Sequence, residues 1–499
     1  MKKYLFTAAA VLAAATTYAQ QDINTAADAV RYSMGNITGT ARFRAMAGAF
    51  GAVGGDPSAM MVNPAGSAIF VYNSGTASAT SYNTSNSANY FGTGVKKNDN
   101  SFDLNQLGAV FVFNNAREDA TMQKFTLGFN YENTSSFDNN IRIAGVNPNN
   151  SIDKYFLRYA NGIGNEGAIP LGTLQNGYFG DLNYIDQQAY LGYNAYVFNP
   201  STSNGQTTYV SNVPSNGNYY QDSYINTSGY NGKIALNFAA QLVKRLYLGA
   251  NINVHFTDYV NNTSFYEDTN NNGAEGLRSL QFDTERYTYG GGVSFDLGAI
   301  VKVTEQFRAG LAYQSPTWLR LQDDVTQRVI ANNGGGTFVT DPGITFTFDD
   351  YTIKSPSKWT GSLAYVFGKH GLLSVDYAVK DYTNTQYTGS KYSALNAELK
   401  STMQTASEVR IGGEYRIKQF SLRGGYRYEQ SPYKNETTIG NLNGFSGGFG
   451  INFGGSRIDL AYAWYQRKAD VALVTPGLTD AARVKSTNNN LTLSYTLDL

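Results

Sequence analysis

Arg457-Ile458-Asp459-Leu460-Ala461-Tyr462-Ala463-Trp464-Tyr465-Gln466 alternates strictly. As a strand it puts Ile458, Leu460, Tyr462 and Trp464 on one face and Arg457, Asp459, Ala461 and Ala463 on the other. A similar run, 444–453, precedes it across only Gly454, Gly455 and Ser456. Upstream, 407–417 and 420–429 are separated by Lys418 and Gln419, and a long polar link, 431–441, joins the two pairs. Tight turns alternating with long links, on strands with one apolar and one polar face, mark a transmembrane β-barrel with turns on one rim and loops on the other.

The pattern extends backwards. Strands are predicted near 74–82, 101–113, 123–131, 231–240, 246–258, 282–297, 308–320, 358–367 and 372–381. With 407–417, the next three and a closing strand to Leu499, this makes an antiparallel barrel of about 14 strands, an even number as single-chain bacterial barrels require. Short joints fall at 114–122, 241–245, 298–306, 368–371, 418–419 and 454–456, and the largest long link is 132–230. With turns periplasmic, every long link, including 321–357, is extracellular. A strand pair hidden near 187–198 would change that count.

Composition narrows the class. There is no internal apolar run near the roughly 18 residues of a helical span, and mean hydropathy is −0.35. Only alternate residues of a barrel strand face lipid, so that low value fits. The 38 Tyr and 28 Phe suit aromatic girdles at the two interfaces; the competing reading is a soluble Tyr-rich surface adhesin. A net charge of zero argues against nucleic-acid partners, which need a basic face. The absence of Cys fits an exported chain without disulfides and rules out a lipid-modified Cys anchor.

Lys2, Lys3, an apolar core and Thr17-Tyr18-Ala19 read as a signal peptide over 1–19, with Gln20 as the mature start. Residues 20–72 do not alternate. Thr25 opens a helix-like stretch, and Asp56-Pro57 reads as an N-cap with a first-turn proline ahead of a short helix that ends before Asn63-Pro64. A segment this small has little core of its own, whereas a lumenal plug borrows the inner wall. The expected organisation is therefore a partly helical hatch over 20–72 and a barrel over 73–499.

Several blocks resemble a known family. The Gly/Ala-rich stretch from Ala41 through Asp56 to Asn63-Pro64-Ala65-Gly66 resembles the hatch signature of the FadL/TodX-type transporters of Gram-negative outer membranes, which carry long-chain fatty acids and toluene. Ser355-Pro356 to Trp359 and Tyr365, Ser421 to Pro432 with Arg423, Tyr426 and Tyr428, and Ile458 to Tyr462 resemble later blocks in the same order. The resemblance implies a fourteen-stranded barrel whose hatch gates the passive diffusion of hydrophobic compounds. Substrate would land on a groove in the outer loops, enter a pocket and leave sideways near the third strand. The ligand would be a hydrophobic small molecule, and outer-membrane lipid would surround the barrel. Carried over by position, Asp56, Asn63, Pro64 and Ala65 are hatch residues, and Gly128 is the expected gate, where a missing side chain weakens the wall. The chain departs from the pattern in ending with Leu499 rather than Phe and in the unmatched link 132–230.

Without the family, period two turns Arg308, Asp376, Lys380, Arg410, Glu414, Arg423 and Arg427 inward. Facing lipid, each Arg or Lys would cost about 2–4 kcal/mol at the bilayer midplane. These charges either hold a ligand carboxylate or pair across strands and pin the hatch. Gly444-Phe445-Ser446-Gly447-Gly448 satisfies a serine-hydrolase elbow, but it leads into a strand, and both histidines precede it. Asp268 to Gly273 matches half a calcium loop, with Ser279 at the twelfth position instead of Glu. No cofactor, metal or catalytic residue is expected. Two other functions remain open: an accessory barrel in a secretion or assembly complex with other outer-membrane proteins, and an outer-membrane lipid hydrolase.

Overall fold

The computed structural model describes residues 23–499 apart from 118–119, 164–166, 204–205, 272 and 274. The expected signal peptide, 1–19, lies outside the described residues. Fourteen antiparallel strands form a closed barrel. They are β1 Ser74–Tyr90, β2 Thr93–Asn114, β3 Met122–Ser136, β4 Tyr219–Leu242, β5 Leu246–Asp268, β6 Leu277–Lys302, β7 in two pieces (Phe307–Gln314 and Trp318–Asn333), β8 Lys358–Val366, β9 Gly371–Asp381, β10 Thr405–Ile417, β11 Phe420–Glu429, β12 Leu442–Asn452, β13 Ser456–Val474 and β14 Leu478–Asp498. Closure is by β14 on β1, in register from Ser74 opposite Asp498 to Asn89 opposite Arg483.

The strand faces follow the alternation. On β11, Leu422 is 51% exposed while its neighbour Arg423 is 8%. Leu460 and Tyr462 on β13 likewise point outward and Asp459 is buried. The exposed apolar belt matches hydrocarbon, and the inner face carries the polar groups.

Several strand ends depart from expectation. Above the belt the outer face of a strand meets water instead of lipid, so the lipid-imposed alternation vanishes although the ladder continues; β5 runs on to Asp268 in this way, with Tyr259, Phe265 and Glu267 buried on its inner face. The link 132–230 shrinks to 148–218, because the third strand resumes after Phe137-Asp138 as Asn139–Asn147, paired with the start of β4. No hidden barrel strands lie near 187–198. That region holds helix Tyr184–Asn194 and then a separate hairpin, Phe198–Ser203 with Gln206–Ser211. The single strand expected over 308–320 is interrupted at Ser315-Pro316-Thr317, where proline has no N–H to give the ladder. The expected loop 321–357 is largely the rest of β7 and its return partners.

The 148–218 insert folds over the loop rim. Phe156, Tyr159 and Leu191 share a buried core with Phe282, Val329 and Leu478 from the strand ends. The N-terminal segment starts beneath this cap, where Ile23 packs with Val325, Phe348 and Tyr184, and fills the lumen through α1 Ala26–Ser33, α2 Ala41–Ala45 and two 3-10 turns, Pro57–Met61 and Pro64–Ile69. The second turn packs on β3 to β6, and α2 packs on β11 to β14.

Candidate functional site

The plug is held together by its own caps and to the wall by polar side chains. The Asp56 carboxylate accepts from the Ser58 N–H at 3.0 Å and from the Thr40 hydroxyl at 2.9 Å, joining the start of one 3-10 turn to the residue that caps α2. Asn63 caps the other: its Oδ1 accepts from the Ala65 N–H at 3.1 Å, and its Nδ2 donates to the carbonyls of Gly51 at 2.7 Å and of Ala299 on β6 at 3.1 Å. The Pro64 carbonyl accepts from Asn237 on β4 at 2.9 Å, and Ala65 packs against Tyr247 and Ile300. This approach needs glycine in the wall, since a Cβ on Gly298 would overlap Asn63 Oδ1 and one on Gly249 would lie 2.5 Å from the Pro64 carbonyl carbon.

Gly128 serves the same purpose, which corrects the expected gate. It is paired on both sides, with Val110 and Asn237, and a Cβ there would lie 2.6 Å from the Met60 sulfur. The missing side chain admits the plug and leaves the ladder intact.

The lumen charges all point inward and meet partners. On α2, the Arg42 Nε donates to Glu414 at 2.9 Å; Glu414 also accepts from Arg423 at 2.7 Å, and Arg423 reaches Asp459 at 2.7 Å. Asp376 lies 3.4 Å from Arg410 and accepts from the Gly51 N–H at 3.2 Å. Arg308 donates to the Val53 carbonyl at 3.1 Å, and Arg427 pairs with Glu408 at 3.0 Å and Glu429 at 2.5 Å. Lys380 donates to the Ser33 carbonyl. Of the two roles foreseen for these groups, the geometry matches pairing and pinning. Ser446 of the elbow-like motif lies within β12, where its hydroxyl donates to the Ala45 carbonyl at 3.0 Å and accepts from the Ala47 N–H at 3.1 Å. It is one more pin on the plug.

Between α1 and the rest of the plug are two adjoining cavities of about 210 and 180 Å³, both bordered by Gly35, Thr134, Lys233, Gln314, Lys358 and Lys380. Lys358 pairs with Glu408 at 2.7 Å, and Lys233 lies 3.6 Å from Asp296. Period two on β4 and β8 would have found Lys233 and Lys358; the two cavities have no sequence signal, because their lining is assembled from β3 to β11 and the N-terminal segment.

The wall beside the cavities is not fully paired. The β2–β3 ladder runs from Asn114 opposite Lys124 to Gln106 opposite Glu132 and ends. Beyond it β2 pairs only with β1, up to Thr93. The third strand turns inward at Phe137-Asp138 and crosses the inner face of β1, where Asn86 Nδ2 donates to Asn139 Oδ1 at 2.6 Å and to the Asn140 carbonyl at 2.8 Å. One side-chain bond, Asn133 to Asp103, spans the seam. Phe102 and Leu104, 72% and 69% exposed, flank it outside, while Glu132 and Thr134 line the larger cavity inside.

No family model matches the chain, and no curated protein is similar to it in sequence. Solved structures are. A Pseudomonas aeruginosa FadL homologue superposes with a TM-score of 0.55 at 13% identity, covering 93% of this chain and 99% of that one. The Pseudomonas putida toluene transporter TodX gives 0.51 at 15% identity, covering 92% and 98%. The fourteen-stranded barrel filled from its N-terminus thus has the FadL/TodX-type fold.

Proposed function

We propose that this chain is an outer-membrane channel for hydrophobic small molecules, long-chain fatty acids or aromatic hydrocarbons, which pass by diffusion and leave sideways through the β2–β3 seam. The observation that carries this reading is the juxtaposition of a wall segment without a β2–β3 ladder and an internal cavity bordered by the plug. A solute that reaches the cavity meets the plug on one side and, on another, a stretch of wall without a backbone ladder, bridged by the Asn133–Asp103 side-chain hydrogen bond. An apolar solute gains by that exit, because it enters hydrocarbon without crossing water. The fold shared with a toluene transporter supports the solute class. In this reading Asp56, Asn63, Pro64 and Ala65 anchor the gating segment, and Arg308, Asp376, Arg410, Glu414, Arg423 and Arg427 hold it in place.

The chain has no cysteine, so the seam can be locked selectively. Asp103→Cys with Asn133→Cys, joined by a short bis-maleimide, is expected to cut uptake of labelled fatty acid or toluene at least tenfold, with the uncoupled variant near the parent. Equal uptake with and without the linker would remove the lateral exit.

A further inference from the structure

Where β13, β14, β1 and β2 lie side by side, their outward residues stand in straight rungs, and the chemistry changes from rung to rung. Tyr462, Leu491, Ser81 and Phe102 lie opposite one another across the three ladders. The next rung, two residues along each strand, is Trp464, Asn489, Asn83 and Asn100, and the one after it Gln466, Thr487, Ser85 and Asn98. Side chains bond along this polar band. The Tyr462 hydroxyl donates to Asn489 at 2.7 Å, Asn83 donates to Asn100, and Gln466 donates to Thr487 at 3.1 Å. The following rung is Lys468, Lys485, Ser87 and Lys96, all exposed.

Lys468 and Lys485 are directly opposite, a placement of like charges that costs stability unless an anion lies between them. Among the described residues, Lys96, Lys468 and Lys485 make no ion pair. The adjoining rung has one carboxylate, Asp470, and Arg483 already holds it at 2.6 Å. On β7, by contrast, the outward cations are paired, Arg320 with Asp350 and Arg328 with Asp283. The lysines lie four residues beyond Trp464, on the rim opposite the tight turns. That is roughly 13 Å of strand, or about 10 Å of height at a tilt of ~40°. A glycerophospholipid carries its phosphate directly on the hydrocarbon boundary, at the level of the asparagines. A glycolipid puts sugar rings there, whose hydroxyls suit amide and hydroxyl side chains. Phosphates on those rings come within reach of lysine stems that lean toward the membrane.

We propose that the outer face from β13 to β2 is a docking site for a phosphorylated glycolipid of the outer leaflet, with Lys468 and Lys485 on one phosphate and Lys96 on a second. Lys96 stands two strands from Lys485, about 10 Å at the usual strand spacing, which separates the two phosphates. Charge complementarity selects this occupant. Apolar, amide and cationic rungs in that order are the counterpart of acyl chains, sugar and phosphates in one molecule, and each lysine near an anionic headgroup adds to the attraction. The site rests on the outer-membrane placement proposed above, and on neither the solute nor its exit. It also sets the glycolipid against β2, the strand that borders the seam.

Native mass spectrometry of the full chain in lipid nanodiscs tests this with three probes: an acylated glucosamine disaccharide bisphosphate, the same lipid without its phosphates, and phosphatidylglycerol. The parent is expected to bind the bisphosphate at least tenfold tighter than either of the others. Lys96→Gln, Lys468→Gln and Lys485→Gln together should abolish that preference. Lys391→Gln, Lys400→Gln and Lys434→Gln together remove the same charge from other loop-rim positions and should keep it. Heat-modifiable gel mobility checks that each variant assembles; Lys485→Gln alone serves if the first triple variant does not, and should lose about fivefold. Equal binding of the phosphate-free lipid, equal binding of phosphatidylglycerol, a preference that survives loss of the three lysines, or one that the second triple variant also loses would each overturn the proposal and leave the channel reading intact. A chain that fractionates away from the outer membrane would overturn both.

Discussion

Replacing Glu414 with Gln tests whether the lumen charges hold the plug or merely the wall. Glu414 is fully buried and accepts from three arginines: Arg42 of the plug, and Arg416 and Arg423 of the barrel. The losses are unequal. Arg423 keeps Asp459 at 2.7 Å, and Arg416 is 44% exposed and can turn to water. Arg42 is 6% exposed and keeps the Gly55 carbonyl and the face of the Phe50 ring, both of its own segment and neither a countercharge. Leaving a buried charge without its partner costs about 3–5 kcal/mol, here falling mainly on plug docking. At roughly 1.4 kcal/mol per decade, undocking becomes about two to four powers of ten more frequent. The β10–β11 backbone ladder from Glu408 to Ile417 is untouched, so the barrel should still assemble. Planar-bilayer recordings should show frequent small-ion openings in Glu414→Gln that the parent lacks, with heat-modifiable gel mobility unchanged. Arg42→Met removes the group that would be stranded, so it should open the channel less, and the double variant should fall well short of the sum. A quiet Glu414→Gln channel, or one that fails to assemble, would refute the assignment of this ion pair to the plug.

Three further outcomes follow from the same geometry. Gly298→Ala places a methyl against Asn63 and should loosen the 63–69 turn by about 1–3 kcal/mol of overpacking, read as faster hydrogen exchange there; unchanged exchange would mean the turn does not press on β6. Leu422→Arg should cost about 2–4 kcal/mol and lower the folded fraction in a heat-modifiability assay, and a silent substitution would mean that β11 is inside out. Cysteine at Gln175 should react with an impermeant maleimide on intact cells and cysteine at Gln419 should not, the reverse pattern placing the turns outside.

The barrel was legible because lipid imposes a simple rule on every second residue. Ile458, Leu460 and Tyr462 alternate with Asp459 and Ala461, and the strand count follows from repeating that test. The same rule failed where lipid ends. Beyond the belt, stretches such as Asn261 to Ser264 carry polar residues on both faces, so the length of β5 left no trace in the pattern. Asn63-Pro64 was readable as a break because proline chemistry is local, but its partners Ala299, Asn237 and Gly298 lie more than 170 positions away. Gly128 was misread for a related reason: a glycine in a strand signals close approach as readily as weakness, and only the position of Met60 decides between them. The seam depends on the inward turn at Phe137-Asp138, which is a property of the assembled wall.

The central claim is the direction of exit. A photoreactive fatty acid, activated in the full chain in a bilayer and mapped by mass spectrometry, tests it most directly. The account predicts adducts at Thr134 and Glu132 on the cavity side of the seam and at Phe102 and Leu104 on its lipid side. Adducts instead at Val71 and Tyr72, exposed where the plug joins β1 at the turn rim, would mean that the solute leaves through the bottom of the barrel, and would contradict it.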